Sequence, residues 1–334
     1  MPLSIHGTNG ITFNDGSVQA SRAAVGFRNR VYNGAFRIDQ RNAGASQTFT
    51  AGAALAYCVD RFYGYCTGAN VTGQQVSVSS PNEVAYRFTG AASVTGIGFG
   101  TRLEATNTRD LAGSTATLSV ELANSLLTTV TWTMFYANSA DAFGTLASPT
   151  RTQIATGAFT VTSTLTRYST QISIPSAATT GLEIVFTVGA HTSGTWTIDN
   201  VQLEAGASAT EFERRPIGTE LALCQRYYSK SYSLGTKPAS VTQTGAFMHP
   251  YTSLTGNILR QTIPFKVSMR AAPTVTIYGG ETGASGFWQI EGAGTTNQAS
   301  AGVTFISEMN ALVFSTNNPA VGVYYFNYVA ESEL

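Results

Sequence analysis

Runs of strand length in which every second residue is apolar recur along this 334-residue chain, and they restrict it to a fold built from half-buried strands. Because successive side chains of a strand point to opposite faces, each run can bury one face and leave the other polar. Three such runs are 115–122, 130–136 and 182–188. Turn-forming clusters such as 138–141 and 176–181 separate the runs. From about Val31 to about Glu211 the pattern predicts a two-sheet antiparallel sandwich of jelly-roll type.

The charge content is low and balanced. Lys and Arg number 19, Asp and Glu also number 19, and charged residues make up only 11% of the chain. A typical globular protein has about 25% charged residues. Nucleic-acid binding needs a one-sided basic surface, and the doublets Arg28/Arg30 and Arg214/Arg215 are too small to provide one. We therefore expect no nucleic-acid partner. The hydrophobic fraction of 43% excludes disorder, so we also expect the chain to be folded.

The sequence predicts neither a membrane span nor a leader. No stretch reaches the roughly 18 apolar residues that a membrane helix needs. Residues 1–7, Met-Pro-Leu-Ser-Ile-His-Gly, lack the basic start and the apolar run of a signal peptide. We therefore expect the chain to fold in the cytoplasm in which it is made. Its length predicts at least two domains.

In the segment 196–206, Trp-Thr-Ile-Asp-Asn-Val-Gln-Leu-Glu-Ala-Gly, the alternation of apolar and polar residues shifts by one position part-way along. Trp196 and Ile198 share one face of a period-two strand, whereas Val201 belongs to the opposite phase. The inward face must therefore switch, which predicts a β-bulge near 199–200.

This segment and Asn33–Arg41, Asn-Gly-Ala-Phe-Arg-Ile-Asp-Gln-Arg, resemble the closing and opening strands of carbohydrate-binding-module type jelly rolls that recur in bacteriophage tail fibres and other virion appendages. The step Asp60-Arg61-Phe62 is similar to an early strand of that family. Other strings that resemble phage appendage proteins are 10–19, 220–228 and 269–275. Within the first of these, Asn14-Asp15-Gly16 between two short alternating runs predicts a hairpin.

The pattern and the resemblance together imply an all-β protein with four parts. These are an N-terminal hairpin segment at 1–30 for virion attachment, a jelly-roll β-sandwich at 31–211, a short linking helix at 212–230 and a C-terminal β-sandwich at 231–334 as the receptor-binding tip. The resemblance further implies a homotrimeric tail fibre, assembled in the host cytoplasm, that contacts other tail or baseplate proteins and binds host surface polysaccharide. The alternative is a purely structural virion protein, such as a decoration, connector or head fibre.

Two segments that follow the jelly roll predict a helix and a strand that is buried on both faces. Residues 216–228 predict the linking helix, because Leu221, Cys224 and Tyr228 fall at i, i+3 and i+7. A helix this short must pack its apolar stripe on another surface. The run 321–329 is apolar on both faces, which predicts a second buried surface, most simply with another subunit.

The resemblance also implies a structural calcium ion. In many jelly rolls of this class an aspartate at the position of Asp199 binds calcium with groups from the opening strand, where this chain offers Asp39. The family usually has an acidic residue after the aromatic of that strand, whereas this chain has Arg37. Calcium takes about six to eight oxygen ligands, more than these two aspartates supply. The alternative is that Asp199 caps a turn or pairs with an arginine.

A sugar-binding site is predicted late in the chain. The stretch Gly279–Gly294 is rich in glycine and has the composition of a loop. Because sugars are held by aromatic faces flanked by polar groups, Trp288 and Tyr278 are the predicted platform, with Gln289 as its amide. The alternative is that Trp288 is a core or interface residue.

No catalytic motif is recognisable. The histidines His6, His191 and His249 have no metal-ligand spacing. No nucleophile elbow occurs, and no local spacing marks a carboxylate pair for glycoside hydrolysis. The three cysteines lack a Cys-x-x-Cys spacing and are expected to be buried thiols. Trp132 and Trp196 are expected in the jelly-roll core. Because no catalytic motif is recognisable, the sequence predicts a binding protein rather than an enzyme.

Overall fold

The computed structural model describes residues 4–6, 10–12, 18–19, 27–52, 54–79, 83–251, 259–291, 298–315 and 321–334. In these residues the strands form one sheet of three strands, two of six and one of eight, and all of their pairings are antiparallel. The predicted all-β fold class is therefore confirmed. The helices in the described ranges are too short to span a bilayer.

The first sheet is a small meander. It contains β1 (Ser4–His6), β2 (Gly10–Thr12) and β3 (Val18–Gln19). β2 and β3 pair antiparallel with Thr12 opposite Val18, as the predicted hairpin requires. The turn at 14–16 lies outside the described residues.

Twelve strands build the jelly roll. They are β4 (Gln47–Phe49), β5 (Ala56–Tyr57), β6 (Phe62–Thr67), β7 (Val71–Ser77), β8 (Val84–Thr89), β9 (Gly96–Leu103), β10 (Thr115–Asn124), β11 (Thr129–Ala137), β12 (Arg151–Thr160), β13 (Thr166–Ser173), β14 (Leu182–Val188) and β15 (Thr195–Ala205). A short helix, α1 (Ala105–Thr108), and a 3₁₀ turn (Arg109–Leu111) connect β9 to β10. Sheet I has the order β13-β10-β15-β8-β7-β4, and sheet II has the order β12-β11-β14-β9-β6-β5.

The two six-stranded sheets bury one hydrophobic core between them. In the run 115–122, Leu118 and Val120 are fully buried, as the alternation predicts. Trp132 is 6% exposed and Trp196 is 0% exposed, so both are core residues as expected. The three cysteines are free and buried.

The opening segment Asn33–Arg41 forms turns rather than the expected strand. Asn33 and Phe36 take left-handed conformations, with φ of 56° and 54°. The Asn33 side chain closes the turn, since its Nδ2 donates to the backbone oxygens of Ile38 at 2.8 Å and Asp60 at 2.9 Å. These side-chain hydrogen bonds satisfy backbone groups that a strand would satisfy through a ladder.

The predicted bulge at Asp199 and Asn200 is confirmed. The register shift places two residues of β15, Asn200 and Val201, opposite the single residue Val120 of β10. Asn200 takes the left-handed conformation, with φ of 51°. Because of the extra residue, Ile198 and Val201 both face inward and are fully buried.

Eight strands build the C-terminal unit. They are β16 (Tyr228–Lys230), β17 (Phe247–Tyr251), β18 (Arg260–Pro264), β19 (Thr274–Gly279), β20 (Phe287–Ile290), β21 (Gln298–Thr304), β22 (Asn310–Ser315) and β23 (Gly322–Glu331). β23 pairs with β16, β17, β19 and β20, while β21 joins β20 to β22. This single sheet folds over its own core, which includes Ile263, Val313 and Phe326.

The linking helix is present but shorter than predicted. α2 (Ile217–Gln225) contains Leu221 and the buried Cys224. Tyr228, expected on the same helical stripe, instead begins β16 and pairs with Glu331 of β23. The strand pairing therefore ends the helix one turn early.

Both faces of β23 are buried within one chain. Tyr324 and Phe326 on one face are fully buried in the core of the unit. On the other face Asn327 is 0% exposed, because its Nδ2 donates to the Thr242 carbonyl oxygen at 2.9 Å and its Oδ1 accepts from the Ser231 hydroxyl at 2.9 Å. The chain's own preceding segment therefore covers this face, so its burial needs no other subunit, and a subunit contact at 321–329 stays a prediction.

Candidate functional site

The predicted calcium ligand Asp39 lies in a turn that follows the opening segment. Its Oδ1 accepts the N–H of Asn42 at 2.8 Å, and its Oδ2 accepts the N–H of Gly44 at 2.8 Å. Burial raises the pKa of Asp39 in spite of these hydrogen bonds. The carboxylate thus holds the turn at 39–44.

Asp199, the other predicted calcium ligand, is fully buried at the β15 bulge. Its Oδ1 accepts the N–H of Asn200 at 2.7 Å. The part of the chain that the structure describes has no group of three or more His, Cys, Asp or Glu side chains that could hold a metal ion. The structure does not bring Asp39 and Asp199 into such a group, and calcium binding stays a prediction.

The predicted sugar platform lies inside the C-terminal unit. Trp288 belongs to β20 rather than to a loop, is 0% exposed and packs 4.5 Å from the ring of Phe326. Its neighbour Gln289 is also fully buried, and its Oε1 accepts the N–H of Glu281 at 3.0 Å. Tyr278 is half-buried in β19. Trp288 is thus a core residue, the alternative given above, and its ring offers no open face to a sugar.

The outer face of sheet II carries a more suitable set of side chains. Because the paired strands are in register, residues opposite one another share this face. One row contains Tyr65, Gly98, Thr187 and Thr131. The next contains Tyr63, Gly100, Val185 and Thr133. A third contains Arg102, Glu183 and Phe135. We call these three rows the sheet II face.

The tyrosine rings of this face pack against glycines of the neighbouring strand. A β-carbon on Gly98 would lie 2.1 Å from Cζ of Tyr65, and one on Gly100 would lie 2.7 Å from Cζ of Tyr63. The Tyr63 ring is fully buried, whereas the Tyr65 ring is half-buried and keeps surface exposed to solvent. Burial raises the pKa of both phenols, so both are neutral hydroxyls at physiological pH.

Threonine hydroxyls line the face beside the tyrosines. Thr131 and Thr187 pair across β11 and β14, are half-buried, and border an open groove of about 450 Å³. The groove is lined by Leu127, Thr128, Thr129, Thr131, Thr187, Val188 and Gly189. Each hydroxyl can both donate and accept a hydrogen bond. The face therefore combines an aromatic surface with adaptable polar groups.

The third row ends the face in a cluster of paired charges. Glu183 is fully buried and accepts hydrogen bonds from the Tyr63 hydroxyl at 2.7 Å and from Arg102 Nε at 2.7 Å. The Arg151 guanidinium also pairs with Glu183 and lies 4.1 Å from the centre of the Phe135 ring. Because a buried carboxylate without partners would be costly, these two arginines compensate the burial of Glu183.

The arrangement matches the surface chemistry of a sugar. A pyranose ring has a C–H face that packs on an aromatic ring and a rim of hydroxyls that need donors and acceptors. Tyr65 supplies the ring, and Thr131 and Thr187 supply the hydroxyls. The signal was present in the sequence as two period-two patterns, Tyr63-x-Tyr65 and Gly96-x-Gly98-x-Gly100, but their adjacency depends on the β6–β9 pairing.

No protein-family model matches this chain. No curated protein matches it either. Among solved structures, the enzymatically active domain of bacteriophage CBA120 tailspike protein 4 aligns at 16% identity with a TM-score of 0.33, over 53% of this chain and 21% of the tailspike chain. TmCBM61, solved with β-1,4-galactotriose, aligns at 12% identity with a TM-score of 0.34, over 54% of this chain and 100% of its own.

A family 11 carbohydrate-binding module from Clostridium thermocellum, solved with a mixed-linked tetrasaccharide, aligns at 12% identity with a TM-score of 0.31. That alignment covers 49% of this chain and 98% of the module. At TM-scores of 0.31 to 0.34 these similarities assign the chain to no family and carry no argument on its function.

Proposed function

We propose that this chain binds polysaccharide on the sheet II face. The observation that carries the proposal is the Tyr65 ring packed against Gly98, near a groove lined by four threonines. A ring held against a sheet presents a preformed surface, so little conformational entropy is lost when a sugar packs on it. The groove and the ring together accommodate a linear glycan rather than a single sugar.

The sequence resemblance extends the proposal to a biological setting. The chain then acts as a tail fibre of a bacteriophage, held on the virion by its N-terminal segment and facing the host surface. As a homotrimer it presents three sheet II faces at once, and this multivalency gives firm attachment even when each site is weak. The resemblance to phage appendage proteins supports this part of the proposal.

Binding without catalysis fits the charges on the face. A glycoside hydrolase needs two carboxylates that flank the scissile bond. In the three rows of the sheet II face the one carboxylate is Glu183, and it is fully buried between two arginines. It has no access to a sugar on the surface.

Glycan-array and whole-cell binding by the purified chain test the proposal. The variant Tyr65→Ala should lose most of the binding, because it removes the aromatic surface. Tyr168→Ala is the control for removal of a half-buried ring from sheet I, and because Tyr168 packs against the jelly-roll core, circular dichroism first confirms that both variants are folded. Wild-type protein that binds neither glycans nor cells would favour the purely structural virion protein. Loss of polymer from capsule incubated with the chain would reveal an enzyme instead.

A further inference from the structure

Three arginines of the jelly roll hold residues 331–334 of the C-terminal unit. Arg41, Arg61 and Arg102 come from three separate places in the jelly roll and converge on this short segment. We call them the arginine clasp.

Arg61 is the most deeply buried member of the clasp. It is 1% exposed, pairs with Glu333 and lies 3.4 Å from the centre of the Tyr227 ring. Its guanidinium also donates to the carbonyl oxygen of Arg102. The φ of Arg61 is 70°, a conformation that costs energy for a residue other than glycine and that the surrounding contacts must therefore enforce.

Arg41 binds the same segment from a second side. Its guanidinium pairs with Glu331 at 3.0 Å and with Glu333 at 3.0 Å. It also lies 3.9 Å from the centre of the Tyr228 ring. Glu333 is thus shared by two arginines, and its side chain is only 5% exposed.

Arg102 connects the segment directly to the sheet II face. Its Nη1 donates to the backbone oxygen of Leu334 at 2.7 Å, and its Nε donates to Glu183 at 2.7 Å. The Tyr57 hydroxyl donates to the same Leu334 oxygen at 2.9 Å, and the Tyr57 ring packs edge-on against Tyr63 at 5.9 Å. Two continuous paths therefore run from Leu334 to residues of the face.

The C-terminal unit fixes the segment from its own side. The Arg270 side chain donates to the backbone oxygens of Ser332 at 2.9 Å and Glu333 at 3.1 Å. The segment therefore cannot move without disturbing either the C-terminal unit or the clasp.

We propose that residues 331–334 are a positioning segment for the sheet II face, and that the arginine clasp couples the packing of the C-terminal unit to the shape of that face. The binding part of this inference rests on the proposed function, whereas the coupling part does not. Buried ion pairs leave few alternative arrangements, because breaking one leaves an unpaired charge in the interior. A change at Glu333 is therefore transmitted to Arg61 and Arg102 rather than absorbed locally.

Hydrogen exchange measured by mass spectrometry on Glu333→Gln tests the coupling without any glycan. The exchange of backbone amides in β6, β9 and β14 should rise, while that of β10 and β13 in sheet I should stay at the wild-type level. Glu308→Gln is the matched control, because it makes the same chemical change at an exposed position of the C-terminal unit. A general loss of stability would raise exchange in both sheets equally, and that result would overturn the positioning role.

Glycan affinity supplies the second readout. Glu333→Gln should bind about tenfold more weakly than wild type, within the usual range of coupling between sites. Glu333→Asp keeps the charge and should recover most of the affinity and the exchange protection. Changes in exchange confined to residues 322–334 would overturn the inference even if glycan binding were weaker than that of wild type. If wild-type protein bound no glycan, the proposed function would fail, while the exchange data would still decide the coupling.

Discussion

Gly34 lies so close to Val201 that a β-carbon at position 34 would sit 2.1 Å from the Val201 carbonyl oxygen. The Val201 N–H donates to the Gly34 carbonyl oxygen at 2.9 Å, and Asn29 Nδ2 donates to the Val201 oxygen at 3.1 Å. This contact joins the opening turn to the β15 bulge. It closes the jelly roll between two segments that are far apart in the sequence.

Gly34→Ala should therefore destabilise the jelly roll by about 3 kcal/mol, because neither backbone can give way without breaking the turn or the bulge. Urea unfolding followed by circular dichroism measures the change. Gly218→Ala is the control: it lies in α2 with nothing within 4 Å of the added carbon, and it should be neutral or stabilising by up to about 1 kcal/mol. Equal stability of the two variants would contradict the close packing at Gly34.

Gly98→Ala should weaken glycan binding as strongly as Tyr65→Ala while leaving the fold intact. The added carbon would displace the Tyr65 ring, which lies at the half-buried surface and can lift away. Isothermal titration with the best glycan from an array measures the loss. Gly96→Ala, whose nearest neighbour would be Thr67 Oγ1 at 3.2 Å, should bind almost normally. Binding by Gly98→Ala at the wild-type level would argue against the Tyr65 ring as the sugar contact.

Asp199→Ala should lower the melting temperature both with and without calcium. The variant removes the fully buried carboxylate that accepts the Asn200 N–H, and a buried donor left without its partner costs about 1–3 kcal/mol. Differential scanning calorimetry in calcium and in chelator makes the measurement. Unchanged melting in the variant, together with no effect of chelator on wild type, would remove both the anchoring role and the calcium site.

The pH dependence of stability should carry a contribution from Asp60. Its carboxylate accepts hydrogen bonds from Gln40 N at 2.6 Å and Gln40 Nε2 at 2.7 Å, yet burial raises its pKa from 3.8 to about 7. Between these two values the folded state holds a proton that the unfolded state has lost, so the free energy of unfolding falls as the pH rises. The slope is at most about 1.4 kcal/mol per pH unit.

Urea unfolding of wild type and of Asp60→Asn, at pH values roughly one unit apart from about 5 to about 8, measures this contribution. The difference in the free energy of unfolding between the two proteins at each pH gives the slope. The stability of wild type relative to the variant should fall up to about pH 7 and then level off. Parallel curves over the whole range would show that Asp60 has no raised pKa in the folded state.

Trp288→Ala should destabilise the C-terminal unit by about 3–5 kcal/mol, as expected for a large ring removed from a packed core. Trp288→Phe should cost much less. Below the melting temperature neither variant should change glycan binding, because the ring is 0% exposed. Weaker binding by a fully folded Trp288→Phe variant, with wild-type hydrogen exchange in β6, β9 and β14, would return the sugar platform to the C-terminal unit.

The sequence predicted what depends on local periodicity. Alternation placed Leu118 and Trp196 in the core, and the phase change between Ile198 and Val201 predicted the bulge. These features depend on a two-residue repeat that every strand obeys. The prediction of α2 was correct in place but too long, because the pairing of Tyr228 with β23 is a contact over a long sequence separation.

Features that depend on long-range contacts were not predicted. The opening segment has strand-like composition, but Asn33 binds Ile38 and Asp60 and folds the segment into turns. Trp288 lies among glycines typical of a loop, and only the pairing of β20 with β21 and β23 shows that it is buried. The sheet II face escaped detection for the same reason, since Tyr65 meets Gly98 through strand pairing alone.

The burial of the three tryptophans gives the molecule a built-in spectroscopic division. Trp132 and Trp196 report on the jelly roll, and Trp288 reports on the C-terminal unit. Fluorescence of single-tryptophan variants can therefore follow each unit separately during unfolding. Coincident transitions would mean that the arginine clasp joins the two units into one cooperative body. Heat or mechanical force would then unfold the whole chain in a single transition.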